Sequence, residues 1–171
     1  MNLHREEIIN RLIQVDKDMA LLDTTSDIYS CVLVGGSALV LMKKIYRSTH
    51  DIDSIDASNE IKPLLETYNI NMNVNAYRIN FPEDYLDRII EVDIPTTKVK
   101  FYTVSLEDIV VSKLCGMREK DVEDIENQLV YKDLNWDLLD DLIEEVCYGM
   151  LNDFDVNVLR LNYENYKEKF R

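Results

Sequence analysis

This chain predicts a mixed α/β fold: a small sheet flanked by helices, followed by a helical C-terminal part. Three observations carry that prediction. Short apolar or alternating runs beginning near residues 31, 51, 70, 89 and 99 read as five strands. Apolar residues at helical spacing precede and interleave with them. From Ser105 onward the pattern is helical throughout. No Gly-, Ser- or Pro-rich linker divides the chain and no repeat is present. The expected organisation is therefore an α/β core over residues 1–104 and a helical part over residues 105–171 packed on it.

Taken in order, residues 3–22 set Leu3, Ile8, Ile9, Leu12, Ile13, Val15, Met19 and Leu22 near helical spacing. Residues 23–30 are polar and connect. Cys31–Val34 is a short buried strand. Gly35-Gly36 turns the chain, and Ser37 can cap a helix running from Ala38 to Tyr46. Asp51–Asp56 is a second strand. Glu60–Tyr68 is a short helix with Pro63 in its first turn, where the missing N–H costs little. In Ile70–Ile79, the residues Ile70, Met72, Val74 and Ala76 alternate with Asn71, Asn73, Asn75 and Tyr77, as in a half-buried strand. Ile89–Ile94 alternates likewise, and Val99–Val104 completes one mixed sheet. Ser105-Leu106-Glu107-Asp108 resembles a capping box with Asp in place of the usual Glu. Helices are expected at about 106–115, 120–131, 135–149 and 155–170.

The 171 residues, 46% of them hydrophobic, are enough for a core without staples. No apolar run approaches the ~20 residues of a membrane-spanning helix, and residues 1–16 lack the apolar stretch of a signal peptide. A cytoplasmic protein with no membrane partner is expected. Cys31, Cys115 and Cys147 contain no CxxC spacing and read as buried free thiols. His4 and His50 are too few for a zinc centre. The net charge of −14 repels nucleic acid at long range. It suits a small molecule carried with Mg²⁺, or a basic protein. Asp137, Asp140, Asp141, Glu144 and Glu145 read as a solvated helix face.

Chemistry concentrates between residues 35 and 53. Side chains two apart on a strand share a face, so Asp51 and Asp53 point the same way, with Cα atoms roughly 6.5–7 Å apart. Two such carboxylates can converge on Mg²⁺, which takes oxygen ligands from a few carboxylates and from phosphate. Gly35 and Gly36 lack Cβ atoms and let the backbone come close to phosphates. Amides at the start of the following helix, and the Ser37 hydroxyl, can donate to phosphate. Asp56 falls on the opposite face of a regular strand. His50 points away from Asp51 by the same alternation. Together the glycine turn and the aspartate pair point to a site for a nucleoside triphosphate with Mg²⁺.

The stretch GGSALVLMKKIYRSTHDIDSID resembles the signature of the DNA polymerase β-like nucleotidyltransferase superfamily. Its Arg47-to-Asp53 portion is similar to AbiEii-type and related minimal nucleotidyltransferases. A second segment, SLEDIVVSKLCGMREKDVEDI, is similar to another motif of that group. The resemblance implies that Asp51 and Asp53 bind metal and that Gly35, Gly36 and Ser37 contact phosphate. It implies that Lys113 and Asp121 belong to the active site, with two Mg²⁺ ions and an NTP as substrate. Arg118, Lys120 and Asp124 read as structural, Lys120 and Asp124 standing at i,i+4. Arg47 and Thr49 read as supports of the Asp51–Asp53 strand. Many superfamily members bring a third acid from a later strand; residues 70–79 offer only asparagines there, residues 89–94 offer Glu91 and Asp93, and Asp93 is the candidate third metal ligand, with Asp121 the alternative.

The expected activity is Mg²⁺-dependent transfer of an NMP from an NTP to a hydroxyl. The acceptor is open: a protein, a tRNA end or a small molecule. A tRNA would need a local basic patch, for example around Arg160, Lys167, Lys169 and Arg171. The family also suggests a protein partner in a toxin–antitoxin pair. The alternative is a degenerate transferase fold that binds or regulates without transfer. A third idea is an interaction protein using helices beyond Trp136.

Overall fold

The computed structural model describes residues 3–74 and 80–171. The chain divides into two units, Met1–Asn75 with Ile89–Val104, and Ala76–Arg88 with Ser105–Arg171.

Among the described residues, the first unit holds one five-stranded sheet, and the fold is the expected mixed α/β. Helix α1 spans Arg5–Leu22. Its first turn is closed by the Glu7 carboxylate, which accepts from the His4 N–H at 2.7 Å. It buries Ile8, Leu12, Val15 and Met19 along one face, as the spacing predicts. Strand β1 (Tyr29–Val34) is central, antiparallel to β2 (Ile52–Ala57) and parallel to β5 (Val99–Thr103). The last four residues of β1 are buried, so both of its faces are covered, which explains an unbroken apolar run. Strand β3 (Ile70–Asn71) pairs in parallel with β2, and β4 (Ile90–Glu91) pairs antiparallel with β5. The order is β3-β2-β1-β5-β4.

Four elements depart from expectation, the simplest being β4, which covers only Ile90–Glu91 of the expected 89–94. Helix α2 spans Gly35–Leu41, so the glycines are its first turn instead of a lead-in. It stops early because Lys43 adopts a positive φ of 61°, and Arg5 Nε donates to the Leu41 carbonyl at 3.2 Å, satisfying an end group. Strand β3 ends at Asn71, whose side-chain oxygen accepts from the Asn73 N–H at 2.9 Å, a local turn that competes with the ladder. The remainder of the expected 70–79 strand, residues 75–79, lies outside the described residues. In β2, Val32 pairs with Asp56 but Leu33 with Ser54, leaving Ile55 as a bulge residue. The regular alternation that would set Asp56 opposite Asp53 therefore does not apply. Helix α3 (Lys62–Thr67) follows a 3₁₀ turn, with its proline in the first turn.

Asp16 is 4% exposed on α1 and accepts from three backbone N–H groups, those of Thr97, Lys98 and Val99, at 2.7–3.2 Å. It fixes where β5 begins. Asp16→Ala leaves these donors without their acceptor in the interior, at about 1–3 kcal/mol for each unsatisfied group. The expected loss is about 3 kcal/mol or more, read as a fall in the urea midpoint at unchanged slope.

The second unit is helical: α4 (Leu106–Gly116), α5 (Glu119–Ile125), α6 (Gln128–Tyr131), α7 (Trp136–Gly149) and α8 (Asp153–Phe170). The expected helix over 120–131 is split, because Asn127 starts a new one by accepting from Leu129 N. Ser105 caps α4 as expected: its Oγ accepts from Asp108 N and donates to Asp108 Oδ2. Asp108 is fully buried and also receives Arg88, whose 3₁₀ turn (Tyr85–Arg88) is thereby tied to these helices.

The acidic face of α7 is largely paired with α8. Arg160 bonds Glu144, Lys167 bonds Asp140, and Arg171 bonds Asp137 and Asp140, while Lys169 reaches Glu126 of the α5 end. The cations considered as a basic patch for RNA thus already face carboxylates. All three cysteines are free, and burial pushes the Cys31 thiol up to about 12. Among the described residues, no helix is long and apolar enough to cross a membrane.

Candidate functional site

The chain leaves β1 at Val34 and bends at Gly35, whose φ of +67° lies in the left-handed region. A Cβ built there would meet Asp53 Oδ2 at 3.4 Å. The Asp53 carboxylate therefore faces the bend at ordinary van der Waals distance from that Cβ position, and it is the left-handed φ that calls for glycine there. Two neighbours fix Asp53. Its backbone pairs with Asn71 of β3, and Asn71 Nδ2 donates to Asp53 Oδ1 at 2.8 Å. Its N–H donates to Ser37 Oγ at 3.4 Å.

Ser37 is fully buried, and its hydroxyl donates to the Val34 carbonyl at 3.0 Å. It was expected to cap the helix or meet phosphate with its side chain. Instead it ties the bend to β2, because a hydroxyl in the middle of the first turn points back into the β1–β2 junction. Asp51 stands one residue before β2 and is exposed. Thr49 Oγ1 donates to its carbonyl at 3.1 Å, and a two-way backbone pairing of Thr49 with Leu3 anchors the approach to β2.

Gly36 sits in close packing. A Cβ there would lie 3.3 Å from Thr49 Oγ1 and 3.5 Å from Arg47 Nη2. Arg47 thus lays its guanidinium against the bend, with Nη1 also donating to the Ser48 carbonyl. Both residues support the site, and Arg47 adds a positive charge beside it. His50 is exposed.

Asp93 is not brought to this site. It lies just past β4, and the sheet order sets β4 three inter-strand spacings from β2, about 14 Å. The residue beside Asp53 on the neighbouring strand is Asn71, a neutral amide. Among the described residues, no group of three or more His, Cys, Asp or Glu could hold a metal ion. Asp51 and Asp53 are the two carboxylates of this segment, and Mg²⁺ is commonly held by one or two carboxylates and completed by phosphate oxygens and water. They suit an ion arriving with a triphosphate, not an all-protein cage.

Lys113 and Asp121 form a buried cluster within the helical unit. Lys113 Nζ, on α4, sits 2.9 Å from Asp121 Oδ1 and 2.8 Å from Asp124 Oδ2, both on α5. Arg118 Nε donates to Asp121 Oδ2 at 2.8 Å. Burial alone would raise the Asp121 pKa, but the Arg118 hydrogen bond and the Lys113 charge outweigh it and hold it below the usual 3.8. Asp124 is turned inward to Lys113, while Lys120, its expected i,i+4 partner, is exposed. Gly116 permits the tight turn after α4, since a Cβ there would come 3.1 Å from Asp121 Oδ2.

Asn71, Arg47 and Asp16 are the residues that sequence reasoning undervalued. The Arg47-x-Thr49 spacing was a usable signal for Arg47. Nothing local marked Asn71 or Asp16, whose roles depend on strand neighbours and on a contact 81–83 residues away.

A glycine bend facing a strand aspartate, on a five-stranded mixed sheet, is an arrangement able to handle a phosphorylated ligand. Residues 10–171 match the model of a family described as nucleotidyltransferase of unknown function (DUF6036). The match runs through nearly the whole chain, and the protein belongs to that family. No curated protein and no solved structure matches it.

Gly35→Ala tests the bend. A left-handed conformation costs a non-glycine residue about 1–2 kcal/mol, and the new methyl would occupy the gap before Asp53. The expected result is that loss of stability in denaturant unfolding; on a nucleotide-binding reading of the bend, a smaller thermal shift with Mg·ATP than in the parent protein is expected as well.

Proposed function

We propose that the protein transfers a nucleoside monophosphate from an NTP to a hydroxyl acceptor, using Mg²⁺ bound by Asp51 and Asp53. The observation that carries this reading is the Asp53 carboxylate facing the Gly35 bend, in a chain of a nucleotidyltransferase family. Gly35 and Gly36 would let the triphosphate approach the backbone, and Arg47 would offset part of its charge. Bound there, Mg²⁺ would neutralise phosphate charge and lower the pKa of a coordinated hydroxyl. In the transfer the acceptor oxygen bonds to the α-phosphorus, the bond to pyrophosphate breaks, and the hydroxyl proton passes to a carboxylate or to water. Asn71 and Ser37 would keep Asp53 in one orientation throughout.

The resemblance to the DNA polymerase β-like superfamily and its AbiEii-type members supports the same chemistry. It also suggests a toxin–antitoxin setting and an intracellular site of action. Lys113 and Asp121 enter the active site on that resemblance alone; their ion pair makes them first a clamp between α4 and α5. Of the acceptors, a protein hydroxyl or a small molecule fits better than a tRNA end, since Arg160, Lys167, Lys169 and Arg171 already face carboxylates.

A second reading, a binding module without turnover, is favoured by Asn71 standing where a third acid would serve. Incubation with α-labelled NTPs, Mg²⁺ and candidate acceptors separates the two. Label transfer dependent on Asp51 and Asp53 supports the enzyme. Saturable Mg·NTP binding with no transfer to any acceptor supports the module.

A further inference from the structure

Within the helical unit, the turn from α7 to α8 carries two adjoining clefts. The larger, about 730 Å³, is lined by Phe81, Tyr85 and Tyr148 with Glu83 and Glu145. The smaller, about 310 Å³, includes Met150, Leu151, Val158 and Asp155. Phe81 and Gly149 line the first while Asn80 and Met150 line the second, so the two meet along the same chain segments. Tyr148 and Leu151 are the most exposed large apolar side chains among the described residues, at 95% and 93%, and Phe154 is also exposed. Exposed aromatic and aliphatic groups gathered at one turn mark an interaction surface.

Charge selects the occupant. Glu83 and Glu145 border the larger cleft, and Asp153 and Asp155 lie exposed at the start of α8. Among the described residues, Arg160 is already held by Glu144 through two bonds of 2.6 Å, and Arg88 by Asp84 and Asp108. A second copy of this chain brings its own net charge of −14, and nucleic acid and anionic membranes are repelled for the same reason. A cationic side chain is attracted both by the carboxylates and by aromatic faces.

We propose that this turn is a docking surface for a basic segment of a partner protein. One arginine or lysine side chain sits in the larger cleft, against Tyr148 and between Glu83 and Glu145. A neighbouring aliphatic side chain covers Leu151 and the smaller cleft. The proposal does not depend on the reading of the candidate nucleotide site.

The test uses the full chain and a fluorescent nine-residue peptide of alternating arginine and leucine, followed by anisotropy at near-physiological salt. Saturable binding at one site per chain is expected, weakened tenfold or more by Tyr148→Ala and by Glu145→Gln. Tyr148 is almost wholly exposed, so its removal leaves the fold intact. Glu60→Gln with Glu66→Gln, two exposed acids on the other unit, should leave the affinity unchanged. Peptides with glutamine for arginine, or serine for leucine, should bind at least tenfold more weakly. Equal weakening by the Glu60/Glu66 control, or full affinity in Tyr148→Ala, reduces the binding to general charge attraction and overturns the proposal. Self-association of the chain through Tyr148 also overturns it.

Discussion

Asp53→Asn is expected to lower nucleotidyl transfer by about a thousandfold or more, about 4 kcal/mol of transition-state stabilisation. The exchange keeps the side chain's shape and leaves an oxygen to accept from Asn71, which bonds the carboxylate at 2.8 Å in the parent protein. What it removes is the negative charge opposite Gly35. The partly exposed position should hold the stability change within about 1 kcal/mol. Transfer of α-label is therefore the decisive reading, and unfolding temperatures with and without Mg·ATP are its control. Unchanged transfer from a folded Asp53→Asn protein would remove the carboxylate from the chemistry. A parent protein that shows Mg·ATP stabilisation but no transfer would direct attention to Asn71. In that case Asn71→Asp, which places a third acid directly beside Asp53, becomes the informative variant.

Local signals made much of this legible in sequence. The apolar run of β1 has to be buried on both faces, and it is. The step from that run to two glycines has to be a backbone bend, and Gly35 has the positive φ that only glycine takes without strain. Ser105 with Asp108 signalled a cap, and the Ser105 Oγ accepts from the Asp108 N–H, although the carboxylate bonds the Ser105 hydroxyl where a capping box would use its N–H. Each of these is decided within four residues of chain.

The misses share the opposite property. Asp93 looked suitable because alternation set it on a polar strand face, but reach depends on strand order, and no local pattern reports that β4 and β2 are three spacings apart. Ser37 had the residue type of a phosphate donor; its hydroxyl donates to the Val34 carbonyl, and the acceptor side of that oxygen is met by the Asp53 N–H, sixteen residues later. Asp16 carries no local signal on its helix, and only the arrival of residues 97–99 makes it an acceptor for three amides. In β2 a single bulge at Ile55 undoes the parity argument for Asp56. The candidate site was therefore legible as a pairing of motifs, while the groups that orient it were not.

Lys113→Met separates two roles that the sequence could not. Lys113 is 7% exposed and Asp121 and Asp124 are 2% and 1% exposed, so removing the ammonium leaves two buried carboxylates confronting each other. Breaking a buried pair from one side costs about 3–5 kcal/mol. A fall of that size in denaturant stability is expected, partly restored when Asp124→Asn is added. A clamp of this kind also has an acid signature. The Asp121 pKa is lowered from 3.8 in the folded protein, so its contribution is present above that value and is lost as pH falls through the lower, folded one. Lys113→Met and Arg118→Gln should both blunt that acid sensitivity, because each removes a partner that holds Asp121 ionised. A purely catalytic lysine predicts the reverse pattern: Lys113→Met would abolish transfer while unfolding in urea and at low pH stayed as in the parent. The ion pairs at 2.9 and 2.8 Å weigh toward the clamp. If both stability and transfer fall, the double variant decides, since restored stability without restored transfer would return Lys113 to the active site.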